Sequence, residues 1–524
     1  MTGAPGGARL VVGFEGTEVS ARLRDLLLET GARAVILFAR NLLDASQARE
    51  LCAALREAVP WPLLLCIDQE GGSVVRLTRG VTVFPGNMAL GAADSPELAR
   101  AQGRISGREL AGIGIDLNLA PVVDLQTNPS NPGIGIRSLG SDPNRAEVLA
   151  RALIEGHLEF SVRSCCKHFP GKGEASVDAH LDLPVLDLPL EEFFDPHLRV
   201  FEKLVRGRED LAVMTTHIVV EGLDPGTPAT FSPAVARDLL RGRLGFRGLL
   251  LADDLEMGAI SGYHEVPEAA VRAAAAGHDL VPVCHDPDLQ LRAARLLDRA
   301  LRRGDLDPVE HRRSLERLRS FAEAARGSAG GSPEETSPAP TEGAALADGI
   351  AAAAVHAFRH PPPGHPLPGL GPLVILAAEP RALVGVEEGL ESEGWPRALG
   401  EIFGRGRRGG CRVFCFPADL EVSAVPPLLE EARREAARPG TAVLLLTWDA
   451  GALEGQGFLL AEACRTLGSR LVVGHLRNPF DQALVPDGIA AFTPFGFRTC
   501  QLRALAAVLR GEAEAKGIMP AKLQ

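Results

Sequence analysis

Eight short apolar runs recur along the first part of the chain, with helix-length segments between them. They are Leu10–Phe14, Ala34–Phe38, Leu63–Ile67, Leu117–Val123, Val162–Cys166, Leu211–Thr215, Leu249–Ala252 and Asp279–Val283. Amphipathic stretches intervene, such as Glu18–Glu29, Ser46–Glu57, Glu97–Ala111, Pro143–Leu158 and Leu190–Arg206. Strands that alternate with helices build α/β folds, and eight such units in roughly 310 residues predict a (β/α)8 TIM-type barrel over 1–325.

The chain has 524 residues, too many for one ordinary core, so at least two domains are expected. A second unit is visible after a stretch almost free of large apolar residues. Gly327-Ser328, Gly330-Gly331-Ser332-Pro333 and Ser337-Pro338-Ala339-Pro340 read as a flexible linker over 326–342. Beyond it, the runs Gly371–Ala377, Cys411–Phe416, Ala442–Thr447 and Arg470–Gly474 alternate with the helix-like segments Ala424–Ala437, Gly455–Gly468 and Arg498–Leu509. They predict a smaller open α/β (αβα) domain over 343–524, entered through an alanine-rich helix, Ala344–Ala357.

Composition removes several classes. Net charge is -12, which disfavours nucleic acid as a partner. The start lacks a basic segment followed by a long apolar one, so a cytoplasmic product without membrane attachment is expected. Nine scattered cysteines do not resemble a disulfide scaffold. Cys411 and Cys415 sit in a mostly apolar strand with no histidine beside them, a poor zinc site. Gly455-Gln456-Gly457 lacks the strand and lysine of a phosphate loop.

Polar residues cluster just after the apolar runs: Arg40-Asn41, Asp68-Gln69-Glu70, Asp124, Lys167-His168, His217, Asp253-Asp254 and His285. In a barrel such strand-end residues face one shared mouth, where active sites lie. Asp68 can hold sugar hydroxyls, with Arg76 eight positions on and able to reach back. Arg137, near the end of a glycine- and proline-rich loop, offers a rigid fork of donors to an anion. The segment Lys167–His180 is too broken by glycine and proline for a helix and reads as a shaped loop that ends in Asp178-Ala179-His180. Of the adjacent pair Asp253 and Asp254, the bare sequence does not choose.

The ordered set Asp68-Gln69-Glu70-Gly71-Gly72, Arg76, Asp116–Asp124, Arg137-Ser138-Leu139-Gly140, Lys167-His168-Phe169-Pro170-Gly171, Asp178-Ala179-His180, His217 and Asp253–Met257 resembles the N-acetyl-β-glucosaminidases (β-hexosaminidases) of glycoside hydrolase family 3. The match runs over most of residues 9 to 320. The resemblance implies a retaining, exo-acting glycosidase with Asp253 as nucleophile, His180 as acid/base and Asp178 orienting that histidine. It places Asp68, Arg76, Arg137, Lys167 and His168 on the sugar, and implies no metal or organic cofactor. Peptidoglycan fragments (muropeptides) are the implied substrates, and cell-wall recycling the setting. Three positions depart from the family pattern: Lys172 replaces a histidine, Ala252 a serine or threonine, and Ala179 a serine. If Lys172 lies close to His180, its cation could lower the pKa of that histidine.

The second domain resembles the extra domain of longer family members, with Arg477-Asn478-Pro479-Phe480-Asp481 as a landmark. In related β-glucosidases that domain can supply the acid/base. The Asp178/His180 pair makes such supply unnecessary and leaves a structural or substrate-shaping role. The rival readings are a β-glucosidase, a phosphorylase that passes the same intermediate to phosphate, and a non-catalytic glycan-binding protein. A histidine acid/base repels incoming phosphate less than a carboxylate would.

Overall fold

The structure, a computed structural model, describes residues 5–326, 340–365, 367, 371–388 and 394–523. Eight parallel strands run in the order seventh, sixth, fifth, fourth, third, second, first, eighth. These are Leu10–Val12, Ala34–Leu37, Leu64–Ile67, Leu117–Asn118, Arg163–Phe169, Leu211–Thr215, Leu249–Ala252 and Val281–Val283. A parallel bridge between Leu251 and Leu280 joins the seventh strand to the eighth and closes the ring.

The period of two along each strand sorts the core into two layers. Ala34, Ile36, Leu64, Cys66, Leu117, Cys165, Ala212, Met214, Leu249 and Leu251 fill the barrel interior. Val35, Leu37, Leu65 and Ile67 point outward into the surrounding helices. Both faces are buried, which is why these strands read as unbroken apolar runs. Leu318, Phe321 and Ala322 of the last barrel helix, Pro308–Arg326, join the interior cluster.

Two expected elements are interrupted, each at a proline. The regular ladder of the fourth strand covers only Leu117–Asn118; beyond it Pro121 has no N–H to offer, and the contact to the fifth strand continues irregularly through the Ala120 and Pro121 carbonyls. Pairing returns one step on, where Val122 bridges Lys167. The helix expected over Leu190–Arg206 breaks at Asp195-Pro196, where Asp195 leaves the helical region, and resumes as Arg199–Val205.

The second domain is a six-stranded sheet, ordered His356–Arg359, Ala490–Thr493, Leu471–His475, Ala442–Thr447, Leu373–Ala378, Cys411–Phe416. All neighbours are parallel except the first pair. The alanine-rich helix ends at Ala354, short of the expected Ala357, and His356–Arg359 forms that antiparallel edge strand instead. The expected linker, 326–342, falls largely outside the described residues.

The second domain is docked against the barrel. Met88, Ala89, Ala92 and Ile136 pack with Ala354, Phe480, Phe495 and Ala521. Arg498 Nε donates to the Gly72 carbonyl at 2.7 Å, and the Ser141 N–H donates to the Pro520 carbonyl at 3.0 Å. Among the described residues no helix is long and apolar enough to cross a membrane.

Asp279 ties the base of the barrel together. Its Oδ1 accepts from Arg317 Nη2 at 2.7 Å, and its Oδ2 accepts from Arg241 Nη2 at 2.6 Å and the Leu250 N–H at 2.9 Å. Burial alone would push this carboxyl up, but Arg241 and Arg317 bring it below its ordinary value. Its stabilising effect is therefore complete above the unfolded pKa of about 3.9 and is lost as pH falls through the depressed folded value. Asp279→Ala should cost about 3–5 kcal/mol at neutral pH, because two arginines lose a shared buried acceptor. Denaturant unfolding of the two proteins should show that gap at pH 7 and a smaller gap in acid.

Candidate active site

The barrel mouth holds a cavity of about 350 Å³. Its floor is apolar, with Val11, Ile36, Cys66, Met214, Leu251 and Pro282. Its walls carry Asp68, Arg76, Arg137, Lys167, His168, Lys172, His180 and Asp253. The fold thus brings seven of the eight residues to which the family resemblance gives roles to one cavity. The eighth, Asp178, stands behind His180.

One wall is a chain of alternating charges. Arg137 grips Glu70 through Nε at 3.0 Å and Nη2 at 2.8 Å. Lys167 Nζ lies 2.8 Å from Glu70 Oε1 and 2.6 Å from Asp68 Oδ1. Arg76 Nη2 lies 3.5 Å from Asp68 Oδ2. Burial works against the Glu70 carboxylate, but Arg137 and Lys167 outweigh it and hold its pKa at about 2. Arg137 is therefore not an open clamp, as its sequence setting suggested. Its fork closes on Glu70, and its Nη1 donates to the Gly133 carbonyl at 2.9 Å.

His168 meets Asp124 at 2.6 Å through Nδ1. Burial, then the charge of Lys172, holds this imidazole well below its ordinary pKa, which favours the neutral ring. With a carboxylate on Nδ1, the proton sits there and Nε2 is left as an acceptor. Asp124 also accepts from the Lys172 backbone N–H at 2.7 Å, which fixes the start of the loop after the fifth strand.

That loop carries the Asp178–His180 pair. Asp178 Oδ1 accepts from His180 Nδ1 at 2.8 Å and from the His180 backbone N–H at 3.1 Å. Burial raises the Asp178 pKa, but the hydrogen bond from His180 more than compensates and holds it low. The loop rests on the segment after the seventh strand: the Gly258 N–H donates to the His180 carbonyl at 3.2 Å, and the Ala259 N–H to the Ala179 carbonyl at 3.0 Å.

Asp253 and Asp254 diverge. Asp253 lies at the end of the seventh strand, with its N–H on the Thr215 carbonyl at 3.0 Å. Burial raises its carboxyl pKa, yet Lys172, then His217 and His180, pull it below the ordinary value. Asp254 turns to the rim, where its Oδ2 meets His285 Nε2 at 3.1 Å. His217 Nε2 donates to the Asp254 carbonyl at 2.8 Å and so pins the backbone just beyond the two carboxylates. Lys172, which replaces the family's histidine, has Asp253 as its foremost opposite charge.

Sequence reasoning missed one wall. Gly385, Val386 and Glu388 of the second domain also line the cavity. Arg76 Nη1 donates to the Val386 carbonyl at 2.7 Å and lies 3.4 Å from Glu388 Oε2, which accepts from the Ala39 N–H at 3.3 Å. Val384-Gly385-Val386-Glu387-Glu388 carries no motif. The nearest signal was the Arg477 landmark, whose guanidinium holds Glu387 at 3.0 Å.

Comparison with known proteins identifies the family. Residues 8–320 match the glycosyl hydrolase family 3 N-terminal domain. The chain belongs to glycoside hydrolase family 3. A β-hexosaminidase of Xylella fastidiosa (strain 9a5c) is 39% identical over 286 residues, 53% of this chain and 84% of that protein. The structure of a family 3 β-N-acetylglucosaminidase from Paenibacillus sp. str. FPU-7 superposes with a TM-score of 0.91 at 31% identity, over 100% of this chain and 99% of that one. A β-glucoside phosphorylase bound to 2FGlc superposes over 100% of this chain and 94% of its own with a TM-score of 0.80, at 20% identity, a likeness of fold. The protein is a glycoside hydrolase of this family, consistent with β-N-acetylhexosaminidase activity. Among the described residues no three His, Cys, Asp or Glu side chains group to hold a metal ion.

The charged wall should behave as one unit. Glu70→Ala leaves Arg137 and Lys167 without their shared acceptor, whereas Glu70→Ala with Arg137→Met removes the mismatch on one side. A double-mutant cycle on unfolding free energy should give a coupling of about 2–3 kcal/mol between Glu70 and Arg137. Additive losses would mean that the pair is not a coupled element of the wall.

Proposed function

We propose that the protein is a retaining, exo-acting β-N-acetylglucosaminidase that removes terminal N-acetylglucosamine through a covalent glycosyl-enzyme. The observation that carries this reading is the meeting of Asp253 and the Asp178-backed His180 in one small cavity floored by apolar side chains. Asp253, kept ionised, attacks the anomeric carbon and forms the ester. His180 donates the proton on Nε2 to the departing glycosidic oxygen, then takes a proton from the water that cleaves the ester. Asp178 holds Nδ1–H in both steps, which fixes the tautomer. Asp68, Arg76, Lys167 and His168 hold the sugar, with Arg137 buttressing them through Glu70. Asp68 and Lys167 offer an acceptor and a donor on adjacent atoms, and His168 Nε2 offers a further acceptor.

A small cavity suits the end of a glycan rather than the middle of a chain. Peptidoglycan fragments in the cytoplasm, with N-acetylglucosamine on a muramic-acid unit, are the substrates and setting the family resemblance supports. In this reading residues 1–325 form the catalytic unit, 326–342 the linker and 343–524 the accessory domain.

Hydrolysis of a chromogenic N-acetyl-β-glucosaminide should exceed that of the matching β-glucoside and should vanish in Asp253→Ala. Preference for the glucoside would move the protein to the β-glucosidase branch. Sugar 1-phosphate as the main product in phosphate buffer would sink plain hydrolysis.

The tuning of Asp253 gives a second prediction. Its depressed pKa keeps the nucleophile ionised as pH falls. Lys172→Met removes the foremost charge that opposes burial, so the Asp253 pKa should rise. The acidic limb of the kcat/KM profile should then move to higher pH, with the alkaline limb less affected. An unmoved acidic limb would separate Lys172 from the nucleophile.

A further inference from the structure

The strap Val384–Glu388 comes within contact of the His180 imidazole. A Cβ built on Gly385 would lie 2.8 Å from His180 Cδ2, 3.2 Å from Cγ and 3.5 Å from Cβ. The three nearest atoms all belong to the histidine side chain. The backbone of Gly385 therefore covers one side of the ring at a distance that a side chain would not allow. The ring's Nδ1 is held by Asp178 at 2.8 Å.

The strap is not a loose loop end. The Glu387 N–H donates to the Val384 carbonyl at 3.0 Å, and Glu387 Oε2 accepts from the Leu383 N–H at 2.9 Å. Arg477 clasps Glu387 at 3.0 Å and Asp449 at 2.8 Å, both largely buried. From the barrel side, Arg76 Nη1 holds the Val386 carbonyl at 2.7 Å. Both domains thus hold the strap just after Gly385, and bonds within it tie Leu383 and Val384 to Glu387.

We propose that Gly385 is a positioning residue for proton transfer: the second-domain strap and Asp178 together hold the His180 ring so that Nε2 faces the glycosidic oxygen. The barrel supplies the imidazole and the second domain sets part of its orientation. This rests on the acid/base role proposed for His180. Its physical basis is that general acid catalysis needs the donor within hydrogen-bond reach of the leaving oxygen, and small misplacements are costly.

Gly385→Ala tests it. The φ of Gly385 lies outside the left-handed region, so alanine is compatible with the backbone, and the group that must give way is the His180 ring. Two N-acetyl-β-glucosaminides should be compared on one preparation of each protein: one with a 2,4-dinitrophenolate leaving group, which departs without a proton, and one with an alkoxide, which needs it. The comparison cancels any loss of folded enzyme.

Gly385→Ala should lower kcat/KM about 10–100-fold on the alkyl glycoside and less than about threefold on the dinitrophenyl one. His180→Ala should show the same split, of about 10²–10⁴-fold. Equal losses on both substrates in Gly385→Ala, or none on either, with the split intact in His180→Ala, would overturn the positioning role and leave the acid/base reading standing. Absence of the split in His180→Ala itself would overturn the acid/base reading and the inference with it.

Discussion

Closure of eight parallel strands into a ring is the constraint on which the site depends. Once the Leu251–Leu280 bridge completes the ring, every strand-end side chain is delivered to one mouth. Asp68 follows the third strand, Asp124 the fourth, His217 the sixth and Asp253 the seventh, while Lys167 and His168 lie at the end of the fifth. They are separated in sequence by up to 185 positions, from Asp68 to Asp253, yet share one cavity or its immediate support. The interior below them is apolar, so the charges above have little water to lean on and must satisfy one another.

That requirement explains the order of charge along the wall. Arg137, Glu70, Lys167, Asp68 and Arg76 alternate in sign, and each contact is 3.5 Å or less. A buried carboxylate without such partners would take up a proton, and a buried lysine would lose one. Here burial and charge oppose each other, and charge wins for Glu70 and for Lys167, whose pKa is raised. Such a network is held in shape before any ligand arrives, which is the state the proposed sugar-binding wall needs for little ordering cost.

Much of this was legible in the chain. The eight strands appear where the apolar runs fall, and Leu249–Ala252, Pro143–Leu158, Cys411–Phe416 and Ala442–Thr447 keep the expected bounds. What failed to show has local causes. Pro121 and Pro196 break a strand and a helix whose apolar pattern runs on past them. His356–Arg359 is half-buried at a sheet edge, so it lacks the dense apolar run of the interior strands. In the site, residue identity gave away which side chains carry charge but not which are already committed. Arg137 reads as a free fork, and only the fold shows that Glu70 fills it. Gly385 and Val386 bring backbone rather than side-chain chemistry to the cavity, and backbone leaves no mark on a motif.

The two groups proposed for the chemistry depend on different parts of the molecule. The charges that lower the Asp253 pKa come from Lys172, His217, His180 and Lys167, all within the barrel. Asp253 can therefore be tuned without the second domain, and the same holds for the alternating wall up to Arg76. His180 stands at the seam. Its partner Asp178 and the docking of its loop on Gly258 belong to the barrel, but Gly385 reaches it from the other side. A barrel alone can hold a carboxylate at a strand end because the strand fixes it. A histidine on a loop has no such anchor, so its direction must be set by what packs against it. The second domain need not donate an acid of its own to matter for proton delivery. It needs only a rigid backbone at the right place, and the clasp of Arg477 on Glu387 and Asp449 supplies that rigidity.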